Sequence, residues 1–409
     1  MKKIKALIQK TFVYKVYLFF VKHFRLFFVF SYIPFLFKLR SKKGLEKDKA
    51  VFIEVSRQSL SNNLQLIYNA FKEKGFKTEV HCLLSGNGAV KHEQRKRLKA
   101  LILSMATAQY VFITEGTDLL SGLKIRPETV FSQVWHGCGA FKKFGLSCSE
   151  GLFGASEEYM KKHPFYSGYT NIFVSSESVC WAYEQAMGYS HDSGVVKPLG
   201  VSRTDVFFDA DFKKRAFEKL FETVPVAREK KIILYAPTFR GHTADAVSPD
   251  FLDIEKADDA LSNEYILLIK HHPHVKNPPQ IPSKCKNFAF DVTKTLDIDT
   301  LLCVSDICIS DYSSLIFEFS LFEKPMIFLA PDRDDYIDWR GFFYDYSDFT
   351  PGDVVDTTDE LIAAVKRTET GFDREKIISF KNKFMSACDG NSTERILRCI
   401  TDECNLKSE

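Results

Sequence analysis

Short apolar runs without polar alternation constrain the fold of this chain more than any other feature of its sequence. Ten such runs lie between residues 50 and 330, among them AVFIEV (50–55), KIILYAPT (231–238) and DICIS (306–310). Strands that bury one face alternate apolar and polar residues, whereas continuous Val, Ile and Phe are typical of strands buried on both faces. Helical segments such as NNLQLIYNAFKEKG, which ends at Gly75, separate the runs. The pattern predicts an α/β fold with parallel sheets.

The apolar runs form two series, one on each side of the segment VVKPLGVSRTD (195–205). A chain of 409 residues has room for two domains, and each series predicts one Rossmann-like domain. We therefore expect domains at 49–198 and 199–385 that face a central cleft. A separate segment (1–48) would precede them, and a closing helix (386–409) would follow.

The N-terminal segment differs sharply in composition from the rest. Residues 1–43 contain eleven Lys and Arg, no Asp or Glu, and many Phe and Tyr. The longest uncharged run, Leu26 to Phe37, has 12 residues, whereas a helix that spans a bilayer needs about 20. Cationic and aromatic residues together are typical of a segment that lies on an anionic membrane surface. We predict a peripheral protein at the cytoplasmic face of the cell membrane, with a helical hairpin packed on the protein itself as the alternative.

Composition excludes several classes of function. Beyond residue 43 the chain holds 45 Lys and Arg against 53 Asp and Glu, a net charge of −8, which argues against nucleic-acid binding. The ten cysteines form no CxxC pair and no zinc spacing, which favours free thiols in a reducing compartment. We predict no metal site and no certain cofactor. A requirement for Mg²⁺ and the oligomeric state are left open.

Polar residues cluster where five of the predicted strands end, the edge at which α/β proteins bind ligands. The first cluster, in VWHGCGAFKKFG, places His136 beside Gly137, with Lys142 and Lys143 following. A histidine that leaves a buried strand beside glycine can accept a proton near neutral pH, and the lysines can bind phosphate groups. We predict that Gly137, Lys142 and Lys143 bind the acceptor. A structural histidine and two solvated lysines are the alternative.

The other four clusters are rich in side chains that bind phosphate. They contribute Arg203 in GVSRTD, Thr238 and Arg240 in LYAPTFRG, His272 in LLIKHHPH, and Ser310, Asp311, Ser313, Ser314 and Glu318 in SDYSSLIFEF. Arginine can donate two N–H groups to one phosphate, and hydroxyls at the start of a helix can hold a diphosphate. Each cluster also has a structural interpretation: an Arg203–Asp205 pair, a surface Arg240, structural histidines, serines that cap a helix, or a solvated Glu318.

Taken together, these motifs resemble the CDP-glycerol glycerophosphotransferase family, whose enzymes build teichoic acids and related phosphopolyol polymers. The resemblance covers about residues 50 to 395 and includes WHG with KKFG, GVSRTD, LYAPTFRG, KHHPH, and SDYSSLIFEF with KPMIF. It implies a GT-B-like arrangement, with the donor on the C-terminal domain and a membrane-associated N-terminus. It also implies that His136 is the catalytic base. By the same resemblance His272, Ser313 and Ser314 bind the donor diphosphate, and Glu318 contacts the ribose. We predict that the donor site also includes Arg203, Thr238, Arg240, Ser310 and Asp311.

The implied reaction moves a polyol phosphate, in the first instance glycerol phosphate, from a CDP-polyol donor and releases CMP. The acceptor would be a hydroxyl of a polyprenyl-diphosphate-linked saccharide or of a growing polymer. Arg240 and His272 would stabilise the charge that builds on the diphosphate. The alternatives are a CDP-ribitol donor, a GT-B nucleotide-sugar glycosyltransferase, and a non-catalytic membrane scaffold. Many polymerases of the family have Thr-Pro-Leu after the His-Gly pair, whereas Cys138-Gly139-Ala140 here resembles the priming enzymes.

Overall fold

The computed structural model describes residues 12–83, 91–148, 156–242 and 245–406. The strands are β1 (Glu46–Glu54), β2 (Lys77–Cys82), β3 (Ala108–Ile113), β4 (Val130–Gln133), β5 (Asn171–Phe173), β6 (Val196–Lys197), β7 (Lys231–Tyr235), β8 (Tyr265–Ile269), β9 (Ala289–Asp291), β10 (Ile307–Ser310), β11 (Met326–Leu329) and β12 (Asp353–Val355). The helices are α1 (Phe12–Phe27), α2 (Ile33–Ser41), α3 (Asn62–Glu73), α4 (Lys91–Met105), α5 (Glu157–Lys162), α6 (Cys180–Met187), α7 (Ala210–Thr223), α8 (Ile254–Leu261), α9 (Ile298–Val304), α10 (Leu315–Ser320), α11 (Arg333–Arg340), α12 (Tyr346–Phe349), α13 (Thr358–Thr370), α14 (Arg374–Phe384) and α15 (Ser392–Leu406).

The strands form two six-stranded sheets, in the orders β2-β1-β3-β4-β5-β6 and β12-β11-β10-β7-β8-β9. In the first sheet β1 pairs with β2 and with β3, β3 pairs with β4, and β4 pairs with β5, all in parallel. All five pairs of the second sheet are also parallel. Central strands are buried on both faces, as in β3 and β8, where every residue is buried. The α/β fold with parallel sheets predicted from the uninterrupted apolar runs is confirmed.

The chain divides into two compact units. The first unit contains residues 1–136, 157–172 and 397–409, and the second contains 137–156 and 173–396. The limits predicted from the sequence, at 198/199 and 385/386, stay predictions.

Each sheet has one point at which the order of its strands reverses. In the first sheet the reversal lies between β1 and β3, because the chain adds β2 on one side of β1 and then adds β3 and β4 on the other side. In the second sheet it lies between β7 and β10. The loops that leave the two strands diverge at such a point, and ligands of open α/β sheets bind in the crevice outside the carboxyl ends.

The N-terminal segment is helical from residue 12 to residue 41. A π-helical turn, Phe28–Tyr32, joins α1 to α2 just before Pro34, which has no N–H to donate. Helical backbone continues through both junctions, so residues 12–41 do not themselves form the hairpin that the sequence offered as an alternative. Its inner face is buried at Val29, Ile33 and Phe37. Among the described residues, no helix has both the length and the apolar character needed to cross a bilayer.

Candidate functional site

A buried carboxylate joins the two strand ends at the switch point of the first sheet. Glu54 ends β1, is fully buried, and accepts hydrogen bonds from the Thr114 hydroxyl (3.2 Å) and the Ser61 N–H (2.8 Å). Thr114 directly follows β3, so the bond from Thr114 to Glu54 fixes the distance between the two diverging loops. Neither Glu54 nor Thr114 was predicted as a site residue. The available signal is a charged residue in the otherwise apolar run AVFIEV (50–55).

The same strand end selects the tautomer of His136. Its Nδ1 lies 3.1 Å from the carbonyl oxygen of Thr114. A carbonyl oxygen only accepts hydrogen bonds, so Nδ1 carries the proton and Nε2 of the neutral ring is left as an acceptor. The side chain is exposed. This is the tautomer that a general base needs.

The backbone next to His136 is strained. Trp135 has a φ of 56°, in the left-handed region that a residue with a bulky side chain rarely adopts. Such a conformation costs about 1–3 kcal/mol and persists where the surrounding structure over-determines it. The Trp135 N–H donates to Gln133 Oε1 (2.9 Å), and the indole lies 4.4 Å from the His136 ring. Strain of this kind concentrates at functional sites.

Within the second unit, the loop that begins at Gly137 packs on the start of α10. A Cβ on Gly137 would lie 3.2 Å from the Ser314 hydroxyl, and one on Gly139 would lie 2.2 Å from the Phe317 ring. Gly139 also has a φ of +61°. The clash and the positive φ require glycine at position 139, and the contact at Gly137 leaves little room for a side chain. These contacts place the Gly137 backbone against the serine turn that the sequence predicted to bind the donor.

The two predicted lysines are held by a short backbone pairing. Lys142 forms an antiparallel bridge with Phe342, and the Lys143 N–H donates to the Gly341 carbonyl (3.1 Å). Phe141 is buried against Phe342, with ring centroids 4.9 Å apart. Both lysines are half-buried. The assignment of Gly137, Lys142 and Lys143 to acceptor binding stays a prediction.

Asp311 joins the strand ends at the switch point of the second sheet. It follows β10, is buried, and accepts hydrogen bonds from the backbone N–H groups of Thr238 (2.8 Å) and Tyr312 (2.6 Å). The neighbouring Ser310 hydroxyl donates to the Ala236 carbonyl (3.0 Å). Both switch points are therefore bridged by a buried carboxylate. Ser310, Asp311 and Thr238 lie at the strand ends where the sequence predicted them. Their hydrogen bonds link the two strand ends, so these residues support the turn that contains Ser313 and Ser314.

Arg240 is bound by groups within the second unit. Its Nε and Nη2 donate to the carboxylate of Asp332 (2.6 and 3.0 Å), and its Nη1 donates to Asp311 (2.9 Å) and to the Thr238 carbonyl (2.6 Å). The Tyr312 hydroxyl also donates to Asp332 (2.8 Å). All three nitrogens of the guanidinium thus donate hydrogen bonds within the protein, so the side chain stabilises the turn that follows β10. A direct contact with a phosphate stays a prediction.

Ser313 and Ser314 are the half-buried residues of this turn. The Leu315 N–H donates to the Ser313 hydroxyl over 3.4 Å, and the Ser314 side chain makes no capping bond to the six-residue helix α10. Helix capping therefore accounts for Ser313 only weakly and does not account for Ser314. Both hydroxyls lie at the carboxyl edge of the sheet, where an anionic ligand of this fold class binds.

The histidines of KHHPH have different surroundings. His271 is buried, its Nδ1 lies 2.8 Å from the Ser248 hydroxyl, and burial lowers its pKa. The half-buried His272 accepts a hydrogen bond at Nδ1 from the His274 N–H (3.2 Å). Nε2 of a neutral ring must then carry the proton. His271 is therefore structural, whereas His272 presents an N–H donor.

Electrostatics keep His272 neutral. Burial lowers its pKa to about 4, and the nearby charges of His274 and Lys142 add to the shift. At neutral pH the ring is therefore an uncharged donor at Nε2, whereas the tautomer of His136 makes its Nε2 an acceptor. The effect of Lys142 also links the loop after His136 to the end of β8. This loop thus approaches the serine turn at Gly137 and His272 at Lys142.

Arg203 and Glu318 form a buried ion pair. The guanidinium, 12% exposed at the side chain, contacts the carboxylates of Glu318 (2% exposed) and Asp299 (1%). Burial alone would lower the pKa of Arg203, but the charges of Asp299 and Glu318 outweigh it and raise that pKa. Burial raises the pKa of Glu318, and Arg203 opposes the shift. The expected contacts of these two side chains with the donor stay predictions, since each already has a partner inside the protein.

Asp205 has a different partner from the one offered by the sequence. Its carboxylate accepts hydrogen bonds from the N–H groups of Ser392 (3.0 Å) and Thr393 (2.7 Å). These are the first residues of α15, so Asp205 caps that helix from a distant part of the chain. The Arg203–Asp205 pair considered from the sequence is therefore wrong, because Arg203 pairs with Glu318 and Asp299.

Within the described ranges, no group of three or more His, Cys, Asp or Glu side chains is placed to hold a metal ion. The three histidines near β8 instead contact Ser248, Phe239 and one another. The first unit can supply an acceptor nitrogen at His136, and the second unit can supply a neutral N–H at His272 and two hydroxyls at the serine turn. These groups are suited to proton transfer and to binding an anion.

Similar proteins cover nearly the whole chain. The teichoic acid poly(ribitol-phosphate) polymerase of Bacillus spizizenii is 36% identical over 355 residues, which are 86% of this chain. The chain spans 56% of the length of that polymerase. The teichoic acid ribitol-phosphate primase of the same organism is 29% identical over 87% of this chain, which spans 92% of the primase.

The fold and the sequence profile agree with these relatives. The structure of the wall teichoic acid polymerase TagF superimposes with a TM-score of 0.73 at 20% identity, covering 91% of this chain and 94% of that one. The family profile described as CDP-glycerol:poly(glycerophosphate) glycerophosphotransferase matches residues 35–402. This chain therefore belongs to the CDP-glycerol:poly(glycerophosphate) glycerophosphotransferase family.

Proposed function

We propose that this protein is a transferase that moves a polyol phosphate from a CDP-polyol donor to a hydroxyl of a lipid-linked saccharide or a growing teichoic-acid-like polymer. One observation carries the proposal: the neutral N–H of His272 and Ser314, whose side chain makes no capping bond, occupy the carboxyl edge of the second sheet. β8 and β10 are separated by one strand, so their ends lie about 10 Å apart. A nucleoside diphosphate carrying a polyol is long enough to contact both.

The proposed mechanism uses the two histidines for different steps. The acceptor hydroxyl gives its proton to Nε2 of His136, and its oxygen forms a bond to the phosphorus nearer the polyol. The bond from that phosphorus to the bridging oxygen breaks, and CMP leaves with the electron pair. The His272 N–H and the hydroxyls of Ser313 and Ser314 stabilise the charge that builds on the diphosphate. Phosphoryl transfer depends mainly on positioning and on such electrostatic stabilisation.

Glycerol phosphate is the first candidate for the transferred group, because the family is described by that activity. Ribitol phosphate is the second candidate, supported by the 36% identity to a poly(ribitol-phosphate) polymerase. The enzyme should release CMP from one of CDP-glycerol and CDP-ribitol when a lipid-linked saccharide is present. Release of UDP from a nucleotide sugar, with no CMP from either donor, would instead select the glycosyltransferase alternative.

We also propose a peripheral location on the cytoplasmic face of an anionic membrane. The outer face of the N-terminal helical segment exposes apolar side chains, among them Phe19, Phe20, Phe24, Phe27, Phe35 and Leu39. Phe, Tyr and cationic residues on one helical segment bind the boundary between lipid headgroups and acyl chains. This location would bring the enzyme to a lipid-linked acceptor.

Replacing His272 tests the neutral donor. His272→Ala should weaken CDP-donor binding about tenfold to a hundredfold, because a hydrogen bond to a charged group is lost. His272→Gln should recover most of the affinity, since its amide can donate in place of Nε2–H. Isothermal titration calorimetry with CDP-glycerol and CDP-ribitol measures both effects.

The dependence of donor binding on pH separates a neutral from a cationic His272. With a pKa of about 4, the ring keeps the same charge from pH 5.5 to 8, so the affinity ratio of wild type to His272→Gln should stay constant. A ratio that rises about tenfold per unit as the pH falls from 7 to 6 would mean that a protonated imidazole binds the donor.

A further inference from the structure

An apolar groove in the first unit lies between the N-terminal helical segment and α4. It has a volume of about 530 Å³, within the range of pockets that hold small ligands. Phe24, Phe27, Phe28, Leu36, Leu98 and Ile102 supply most of its apolar lining. Such a surface excludes water from an apolar chain that lies in it.

Cationic side chains border the groove on one side. Arg95, Lys96 and Lys99 all line it, and the Arg95 guanidinium lies 5.4 Å from the centre of the Phe24 ring. Within the part of the chain that the structure describes, none of the three forms an ion pair with a carboxylate. Three such cations within five residues complement a diphosphate better than the single negative charge of a phospholipid headgroup.

The position of the cations relates the groove to the candidate catalytic edge. α4 connects the parallel strands β2 and β3, so it runs antiparallel to them, and its first half lies toward their carboxyl ends. Glu54 and Thr114 lie at that same edge of the first sheet. A phosphate group on Arg95 and Lys99 would thus be held on the side of the unit where strand ends carry polar residues.

The N-terminal segment that forms the other wall is fastened to the loop after β3. The Arg25 guanidinium pairs with Asp118, and Arg126 donates to the Ser41 carbonyl. Gly122 lies so close to the Val29 carbonyl that a Cβ there would be 2.5 Å from the oxygen. These contacts hold the N-terminal segment against the first unit, so it forms a fixed wall of the groove opposite α4.

We propose that this groove binds the lipid-linked acceptor, with its single apolar chain in the groove and its diphosphate on Arg95, Lys96 and Lys99. The proposal rests on the proposed function for the nature of the acceptor. It adds a binding site for the lipid portion, which would hold the saccharide end of the acceptor toward the carboxyl edge of the first sheet.

Direct binding of geranylgeranyl diphosphate, a single-chain isoprenoid diphosphate, tests the site without any transfer reaction. The full chain should bind it below its micelle concentration, and Arg95→Glu with Lys99→Glu should raise the dissociation constant at least about tenfold. The matched control is Lys72→Glu with Lys74→Glu, the same charge change at exposed positions outside the groove, with an effect below about twofold. Unchanged binding by the Arg95 and Lys99 double variant would overturn the proposal.

A second pair of variants tests the apolar half while leaving the buried residues intact. Phe27→Asp should weaken binding, whereas Phe35→Asp should not, because the two side chains are 59% and 61% exposed but only Phe27 lines the groove. Geranylgeraniol and inorganic diphosphate should each bind far more weakly than the intact probe. Competition by a short-chain phosphatidylglycerol, kept monomeric, as strong as that of the probe itself would assign the groove to bulk phospholipid and overturn the proposal.

Activity measurements distinguish this inference from the proposed function. The groove variants should keep full release of CMP with a short water-soluble acceptor and lose it with the lipid-linked one. A wild-type protein that releases no CMP with either acceptor would contradict the proposed function, while the binding results would still decide the site.

Discussion

Replacing His136 with glutamine should lower the rate of transfer by about 10² to 10⁴, the usual contribution of a general base. The expectation follows from the hydrogen bond between Nδ1 and the Thr114 carbonyl, which leaves Nε2 as the atom that can accept the acceptor's proton. Glutamine has about the same reach but no basic nitrogen. The affinity for the CDP donor should stay within about twofold, since the mutation removes a step of the reaction and not a donor contact.

A surface histidine provides the matched control for this substitution. His191→Gln changes an exposed residue that pairs with Glu184 in the second unit, and it should leave the rate unchanged. Single-turnover kinetics with a water-soluble acceptor and calorimetry with the CDP donor separate the two effects. A His136→Gln protein that keeps the wild-type rate, or one that loses donor binding in proportion to rate, would contradict the assignment.

Replacing Arg203 with methionine should destabilise the second unit by about 3–5 kcal/mol, because removing one partner of a buried ion pair leaves an uncompensated charge. In this protein the substitution would leave two buried carboxylates without their cation, because Glu318 and Asp299 both contact the guanidinium. Glu318→Gln should cost far less, about 1 kcal/mol, because Arg203 keeps Asp299 as its partner. Urea unfolding followed by circular dichroism compares the free energies of unfolding.

Stability as a function of pH gives a second signature of the buried cluster. The folded pKa of Glu318 is raised above its ordinary value of 4.5, mainly by burial. A raised folded pKa stabilises the protein fully below the unfolded value, and this contribution is lost as pH rises from about 4.5 through the folded pKa. Glutamine does not ionise, so Glu318→Gln should become more stable relative to wild type over that rise.

The same variants decide whether Arg203 contacts the donor directly. If the ion pair is structural, donor affinity measured on the folded Arg203→Met protein should match that of wild type, and any loss should follow the folded fraction. An Arg203→Met protein of wild-type stability that binds the CDP donor weakly would make Arg203 a donor ligand, as the sequence predicted.

The sequence predicted the strands well where burial alone determines them. The runs at 231–238 and 306–310 correspond to β7 and β10, because short runs rich in Ile and Leu are typical of strands buried on both faces of a parallel sheet. β6 and β12, of two and three residues, were not predicted. Both lie at the end of their sheets, where one neighbour is missing and a long apolar run is not required.

Site residues were harder to predict because one strand end contains both buried side chains that support the turn and half-buried side chains that can contact a ligand. Asp311 and Ser314 are three residues apart, yet one is buried against Thr238 and Arg240 while the other is half-buried with no capping bond. Only the path of the turn decides which side chain faces inward. Glu54 was missed for a related reason, since its partner Thr114 is 60 residues away and only the strand order brings them together.

The crystal structure of the full-length protein with the bound CDP-polyol, CDP-glycerol or CDP-ribitol, that supports CMP release tests the central claim most directly. The account predicts the diphosphate at the carboxyl edge of the second sheet, within hydrogen-bond distance of His272 Nε2 and the Ser314 hydroxyl, with the Arg203–Glu318 pair intact. A diphosphate bound away from the ends of β8 and β10, or one that contacts neither His272 nor Ser314, would contradict it.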